Sequence, residues 1–193
     1  MIIILLKKCL ILLSLIGAFS LPAYADIDDS EDNFELFSID GYRLVRYRSP
    51  TPKSSEHAVT LTTQELLELL QRDDQVLLLD VQPIQWNRVF IQKEPRLHIP
   101  GSIWTPNVGL GELEPAWEEY FRSNLVNITK GNKEHPLVIY CRADCWMSWN
   151  ALKRASSWGY TNLYWYRNGS DGWIEHDLDT VTAQPVPFKA ENN

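Results

Sequence analysis

Two short runs of uninterrupted apolar residues, Val76-Leu-Leu-Leu-Asp-Val81 and Leu137-Val-Ile-Tyr140, constrain what this chain can fold into more than any other feature. A strand with one wet face alternates polar and apolar residues, so a continuous run belongs to a strand covered on both faces. Helical patterns surround these runs. Thr62-Thr-Gln-Glu65 is a capping box ahead of Leu66, Leu67, Leu69 and Leu70. Pro115-Ala-Trp-Glu-Glu-Tyr-Phe-Arg122 opens a second helix with proline in its first turn. A third starts near Met147, puts Met147, Ala151, Ala155 and Trp158 on one stripe, and stops at Gly159. Leu163-Tyr-Trp-Tyr166 reads as a last short strand. Strands alternating with helices predict an α/β fold with a parallel sheet flanked by helices.

The ends of the chain read differently. Lys7 and Lys8 precede the apolar run Leu10 to Phe19, and Ala23-Tyr24-Ala25 has the small-x-small form of a signal peptidase site. Residues 1–25 are therefore expected to be a cleaved export signal. Residues 26–57 read as an N-terminal extension or linker, acidic from Asp26 to Asp32 and linker-like over Ser49-Pro-Thr-Pro-Lys-Ser-Ser55. Between these, Tyr42 to Tyr47 fits a short strand or an arm laid on the domain. Residues 58–178 form the expected domain and 179–193 a C-terminal tail. The formal charge of −7 becomes more negative still when Lys7 and Lys8 leave with the signal. So acidic a chain is not expected to bind nucleic acid, and after cleavage it is not expected to hold a membrane.

Cys9 lies in the leader, which leaves Cys141 and Cys145. Cys141 follows a buried strand and faces the start of the next helix, where unpaired N–H groups and the helix dipole favour thiolate over thiol. Two loop thiols this close, expected to be exposed, suit exchange chemistry, with one attacking and the other resolving. A structural disulfide and metal ligation are the alternatives. A bridge closing so small a loop removes little unfolded-chain entropy, and no second Cys or His pair has ligand spacing, so no metal is expected. Arg142 is suited to steer an anionic substrate or hold the thiolate, with pairing to Asp144 as the competing role. Asp80, at the tip of its strand, is expected to anchor a loop or turn, and His98 to order loops. Most of the eight tryptophans are expected in the core. Trp146 and Trp149 flank the cysteine loop, where indole faces can stack on a flat ligand such as a quinone.

The order of these pieces resembles a single rhodanese-like domain. The resemblance rests on Leu66 and Leu67, Leu78-Leu-Asp-Val81, His98-Ile-Pro-Gly101, the strand ending at Cys141, the helix to Gly159, and Arg167-Asn-Gly-Ser-Asp-Gly-Trp173. It implies that Cys141 is the nucleophile and that Arg142, Ala143, Asp144, Cys145, Trp146 and Met147 cradle its sulfur with backbone N–H groups. The loop has no glycine, so residues with a Cβ must make its curl. It also lacks the closing arginine of related cysteine phosphatases, where Met147 and Ser148 stand, which disfavours phosphatase activity. A narrower likeness rests on Cys141-Arg-Ala-Asp-Cys-Trp-Met-Ser-Trp-Asn150, Trp104-Thr-Pro-Asn-Val-Gly109 and Asp171-Gly-Trp173. This resembles the CXXCW-motif proteins associated with PQQ-dependent alcohol catabolism. It implies a bacterial periplasmic setting beside quinoprotein dehydrogenases, with PQQ or a quinone as the cofactor such a setting offers. The paired thiols themselves lead us to expect a small thiol or sulfane-sulfur substrate, or a periplasmic redox protein, as the partner. The other function class open to such a chain is a non-catalytic binding module for a quinoprotein or cytochrome.

Overall fold

The two apolar runs become neighbouring parallel strands in the computed structural model, which describes residues 36–189. β2 (Leu77–Asp80) and β7 (Leu137–Tyr140) pair with Leu77 opposite Leu137 and Asp80 opposite Tyr140. β8 (Leu163–Tyr166) lies beyond β7, with β1 (Val59–Leu61) outside it, and β6 (Ile103–Trp104) flanks β2. The sheet is parallel throughout, in the order β1-β8-β7-β2-β6. The expected export signal and the acidic segment Asp26 to Asp32 lie outside the described residues.

Among the described residues four helices cover the sheet: α1 (Thr63–Arg72), α2 (Pro115–Thr129), α3 (Trp146–Ser157) and α4 (Gly169–Glu175). Successive strand residues point to opposite faces, and the core divides accordingly. Leu79, Leu137, Ile139 and Trp165 pack with Phe121 and Leu125 of α2 and with Ala151, Leu152 and Ala155 of α3. Leu78, Val138, Tyr140 and Tyr166 pack with Leu66 and Leu69 of α1 and Trp173 of α4. Each fully buried Leu or Ile contributes roughly 1.5–3 kcal/mol, so the uninterrupted runs are what this sandwich requires. The capping box at Thr62 and Glu65 forms, Pro115 opens α2, and Gly159 follows α3 at φ +88°, a left-handed conformation that glycine adopts freely.

Among the described residues a further short strand, β1, stands just ahead of the Thr62 cap. Two antiparallel pairs also appear in stretches the sequence leaves open: β3 (Gln85–Trp86) with β4 (Phe90–Ile91), and β5 (Leu97–His98) with β9 (Val181–Thr182). The segment 42–52, expected to be an arm or a linker, is laid on the domain. Arg43 exchanges two hydrogen bonds with the buried Asn150, each 2.9 Å. The linker-like Ser49 to Ser55 stretch is pinned as well, with Thr51 buried and Arg167 donating to the Thr51 and Pro52 carbonyls.

Candidate active site

Cys141 is the first residue past the tip of β7, and Cys145 caps the N-terminus of α3. The two sulfurs are bonded to each other, with their Cα atoms 6.1 Å apart. Neither cysteine is exposed: Cys141 is 1% accessible and Cys145 3%. The expectation of exposed loop thiols is corrected here, because chain outside the loop covers it. Trp146 and Met147 are buried too, Ala143 and Asp144 are half-buried, and only Arg142 among the loop residues stands in solvent.

The glycine-free curl is made at Asp144, whose φ is +49°. Aspartate tolerates this left-handed conformation better than most residues, and its surroundings hold it there. Its Oδ1 accepts from Arg167 Nη2 at 2.7 Å, from the Thr51 N–H at 3.2 Å and from the Thr51 hydroxyl at 3.3 Å. Asp144 therefore pairs with Arg167 and not with Arg142. Arg142 donates to Asp171 Oδ1 at 3.2 Å, while Asp171 Oδ2 accepts from Arg48 at 3.2 Å.

The cradle expected over Arg142 to Met147 is incomplete as the chain stands. The Trp146 N–H, at the first turn of α3, donates to the Tyr47 carbonyl at 2.8 Å. The Ser49 N–H donates to the Asp144 carbonyl at 3.1 Å, so Arg48 and Cys145 form an antiparallel bridge. The Trp146 indole N–H donates to the Pro50 carbonyl, and its ring packs edge-on against Phe37 and Trp149. Trp146 is thus closed to a stacking ligand, whereas Trp149 stays half-exposed. Two glycines fit this assembly closely. A Cβ on Gly109 would collide with the Met147 backbone, and one on Gly169 (φ +56°) with the Cys141 carbonyl.

Asp80 and His98 are both fully buried and 2.7 Å apart, Oδ2 to Nδ1. Asp80 also accepts from the Gln82 N–H at 2.7 Å and from Gln82 Nε2 at 2.9 Å. That amide reaches Ser170 Oγ at 3.4 Å, and the Ser170 N–H donates to the Cys141 carbonyl at 3.0 Å. Asp80 thus anchors both the turn after β2 and, through Gln82 and Ser170, the base of the cysteine loop. The other ring nitrogen of His98 has no partner among the described residues, with the ring against Trp104 at 4.6 Å. The Tyr140 hydroxyl, donating to Ser102, is pushed well up by burial and then by the nearby Asp80 carboxylate.

A cleft of about 480 Å³ opens beside the loop, bounded by Gln82, Pro95, Arg96, Arg142, Ser170 and Asp171. Arg96 is half-buried and has no hydrogen-bond or ion-pair partner among the described residues. Burial draws its guanidinium below the usual value and the Arg142 cation adds to this, while Asp80 works the other way. Two cations sharing a cleft, one of them unpartnered, favour a small anion. Arg96, Gln82 and Thr51 carry no local motif, and Arg167 and Ser170, though within the Arg167 to Trp173 run, take no site role from it; their placement in the fold assigns all five to this site.

The family model described as Rhodanese-like domain matches residues 62–176. No curated protein matches the sequence. Among solved structures, a thiosulfate sulfurtransferase from Pseudomonas aeruginosa aligns at 15% identity and a TM-score of 0.50, over 70% of this chain and 22% of that one. The chain therefore spans about a fifth of that protein's length, and the likeness is one of fold. A polysulfide-sulfur transferase homodimer from Wolinella succinogenes aligns at 17% identity and TM-score 0.42, over 65% of this chain and 79% of that one. An uncharacterized protein from Saccharomyces cerevisiae aligns at 24% identity and TM-score 0.42, over 63% and 98%.

Proposed function

The chain belongs to the rhodanese-like domain family, and from that premise we propose that it performs sulfur-transfer or thiol–disulfide chemistry at Cys141, with Cys145 resolving the adduct. The observation that carries this reading is the bonded sulfur pair between a buried strand tip and a helix N-terminus, beside a cleft holding Arg96 and Arg142. In the reduced protein the Cys141 thiolate attacks the outer sulfur of a sulfane donor such as thiosulfate. The donor's S–S bond breaks, sulfite leaves with the bonding pair, and Cys141 carries a persulfide. Cys145 thiolate then attacks Cys141 Sγ, expels hydrosulfide and forms the Cys141–Cys145 disulfide. With a disulfide substrate the same two attacks release its two thiols in turn. An external dithiol reduces the pair again and is itself oxidised to a disulfide. The guanidinium groups of Arg96 and Arg142 offset the charge of the anionic donor, and the start of α3 favours the attacking thiolate.

Cys141→Ser is expected to abolish both thiosulfate-to-cyanide sulfurtransfer and alkylation at neutral pH. Cys145→Ser is expected to trap a mass adduct on Cys141. Equal, slow reactivity of the two reduced cysteines would sink this reading.

The setting proposed is the periplasm, accessory to PQQ-dependent alcohol oxidation, supported by the leader pattern of residues 1–25 and the Cys141-Arg-Ala-Asp-Cys-Trp146 motif. A mature N-terminus at Asp26 in protein recovered from the periplasm is the expected mass-spectrometric result; an uncleaved chain in the cytoplasm would refute it. Burial of both sulfurs favours one second reading, a non-catalytic module that binds a quinoprotein or cytochrome. Binding that persists in the double cysteine-to-serine variant would favour that module over the enzyme.

A further inference from the structure

The segment 42–52 precedes the part of the chain that matches the family, yet most of its attachments reach the reactive loop or residues holding it. Its upstream end is fixed by Arg43 on Asn150 of α3, and its downstream end by Thr51 and Pro52 on Arg167. Between these anchors the Tyr47 carbonyl holds the Trp146 N–H, the Ser49 N–H holds the Asp144 carbonyl, and Arg48 meets Asp171. Tyr47 packs against the cluster that contains both cysteines.

We propose that residues 42–52 are a strap that competes with the Cys141 sulfur for the Trp146 N–H, so that strap seating and the redox state of the cysteine pair are coupled. This rests on the reading that the pair cycles between disulfide and dithiol. One N–H serves one acceptor well. A disulfide sulfur is neutral and a weak acceptor, so in the oxidised protein the Trp146 N–H goes to the Tyr47 carbonyl. A thiolate at Cys141 is a charged acceptor at the same helix start and draws that N–H inward. Reduction also removes the covalent closure that holds Asp144 where Ser49 and Thr51 meet it. The seated strap accordingly favours the disulfide, and by linkage the disulfide favours the seated strap. The same segment is bonded to the loop that carries both buried sulfurs, so on this proposal the strap lifts before an attacking thiol reduces the pair.

The test uses the whole chain before and after reduction by dithiothreitol, whose two thiols form its cyclic disulfide while Cys141 and Cys145 become thiols. Amide hydrogen exchange across residues 47–51 should rise roughly tenfold or more on reduction, the scale expected when a few backbone hydrogen bonds are released, with α1 unchanged. Arg48→Glu sets a carboxylate against Asp171 and should speed reduction of the disulfide about fivefold or more, as loss of a net interaction of about one hydrogen bond would. Arg48→Lys should restore the original rate. Identical exchange over residues 47–51 in the two redox states overturns the strap, whatever the variants do. If that happens while Cys141→Ser still abolishes sulfurtransfer, the strap falls and the proposed function stands. Redox-coupled exchange in a protein without thiol activity fells the function alone. A pair that dithiothreitol cannot reduce defeats both.

Discussion

At Asp144 the sequence asks a residue with a Cβ to take a conformation usually left to glycine, and neighbouring groups maintain it. The left-handed turn aims its carbonyl at Ser49 and its carboxylate at Thr51 and Arg167. Two contributions can be separated by substitution. Asp144→Asn keeps an acceptor and the residue type's tolerance of positive φ, and loses only a partly exposed ion pair, expected to cost less than about 1 kcal/mol. Asp144→Ala keeps neither, and the left-handed penalty of roughly 1–2 kcal/mol for an ordinary residue adds to the lost bonds. Urea unfolding should therefore rank wild type above Asn above Ala. Equal stability of the two variants would mean the turn conformation contributes nothing. Asp80 is the buried counterpart: it is bonded to Gln82 and His98, and the onward link through Ser170 to the Cys141 carbonyl depends on α4 lying against the loop.

Legibility differs from element to element for a physical reason. β2 and β7 could be read because both faces are buried, so every residue is apolar regardless of which helix covers it. α1 could be read from its Thr62–Glu65 box, and α3 from its stripe and the glycine after it, because caps are local chemistry. β1 and β6 are short flanking strands, with Val59 exposed, and no periodicity develops over two or three residues. The β3–β4 turn was hidden because Arg88 takes φ +60° where Asn-Gly would have announced it. Tyr42 to Tyr47 was legible as an arm or a strand, but not as a strap. Its partners Asp144, Trp146 and Asn150 lie roughly a hundred positions away in the chain, and nothing within the segment states that pairing. The burial of the cysteines was hidden for a similar reason, since they join a core cluster assembled from distant parts of the chain, Tyr47 among them. The Cys141 loop itself was legible from a strand ending, two cysteines and a helix beginning.

Across the whole molecule the two flanks of the family-matched region act on different parts of it. In the N-terminal flank residues 42–52 sit on the cysteine loop, ahead of the edge strand β1, whereas the C-terminal flank is attached at the opposite edge of the sheet and away from that loop. β9 pairs with β5, the Val186 N–H donates to the Trp104 carbonyl at the end of β6, and Tyr120 donates to the Val186 carbonyl at 2.7 Å. Phe188 then stacks on Trp117 with ring centroids 3.8 Å apart and packs edge-on against Trp86 and Tyr120. This separation allows local opening of the strap to be distinguished from global unfolding as the route by which a dithiol reaches the disulfide. A fully buried Phe→Ala change costs about 3–5 kcal/mol, so truncating the half-buried Phe188 should cost about 2 kcal/mol. In a domain of this size that lowers the melting temperature by roughly 4–8 °C. If reduction proceeds through local lifting of residues 42–52, Phe188→Ala leaves its rate within about twofold of wild type, because the strap's own contacts are intact. Were global unfolding the route, the same 2 kcal/mol would raise the rate about thirtyfold. Melting temperature and dithiothreitol reduction rate, measured on the same preparations, decide between these routes; a rate that follows stability would remove the strap from the mechanism of access.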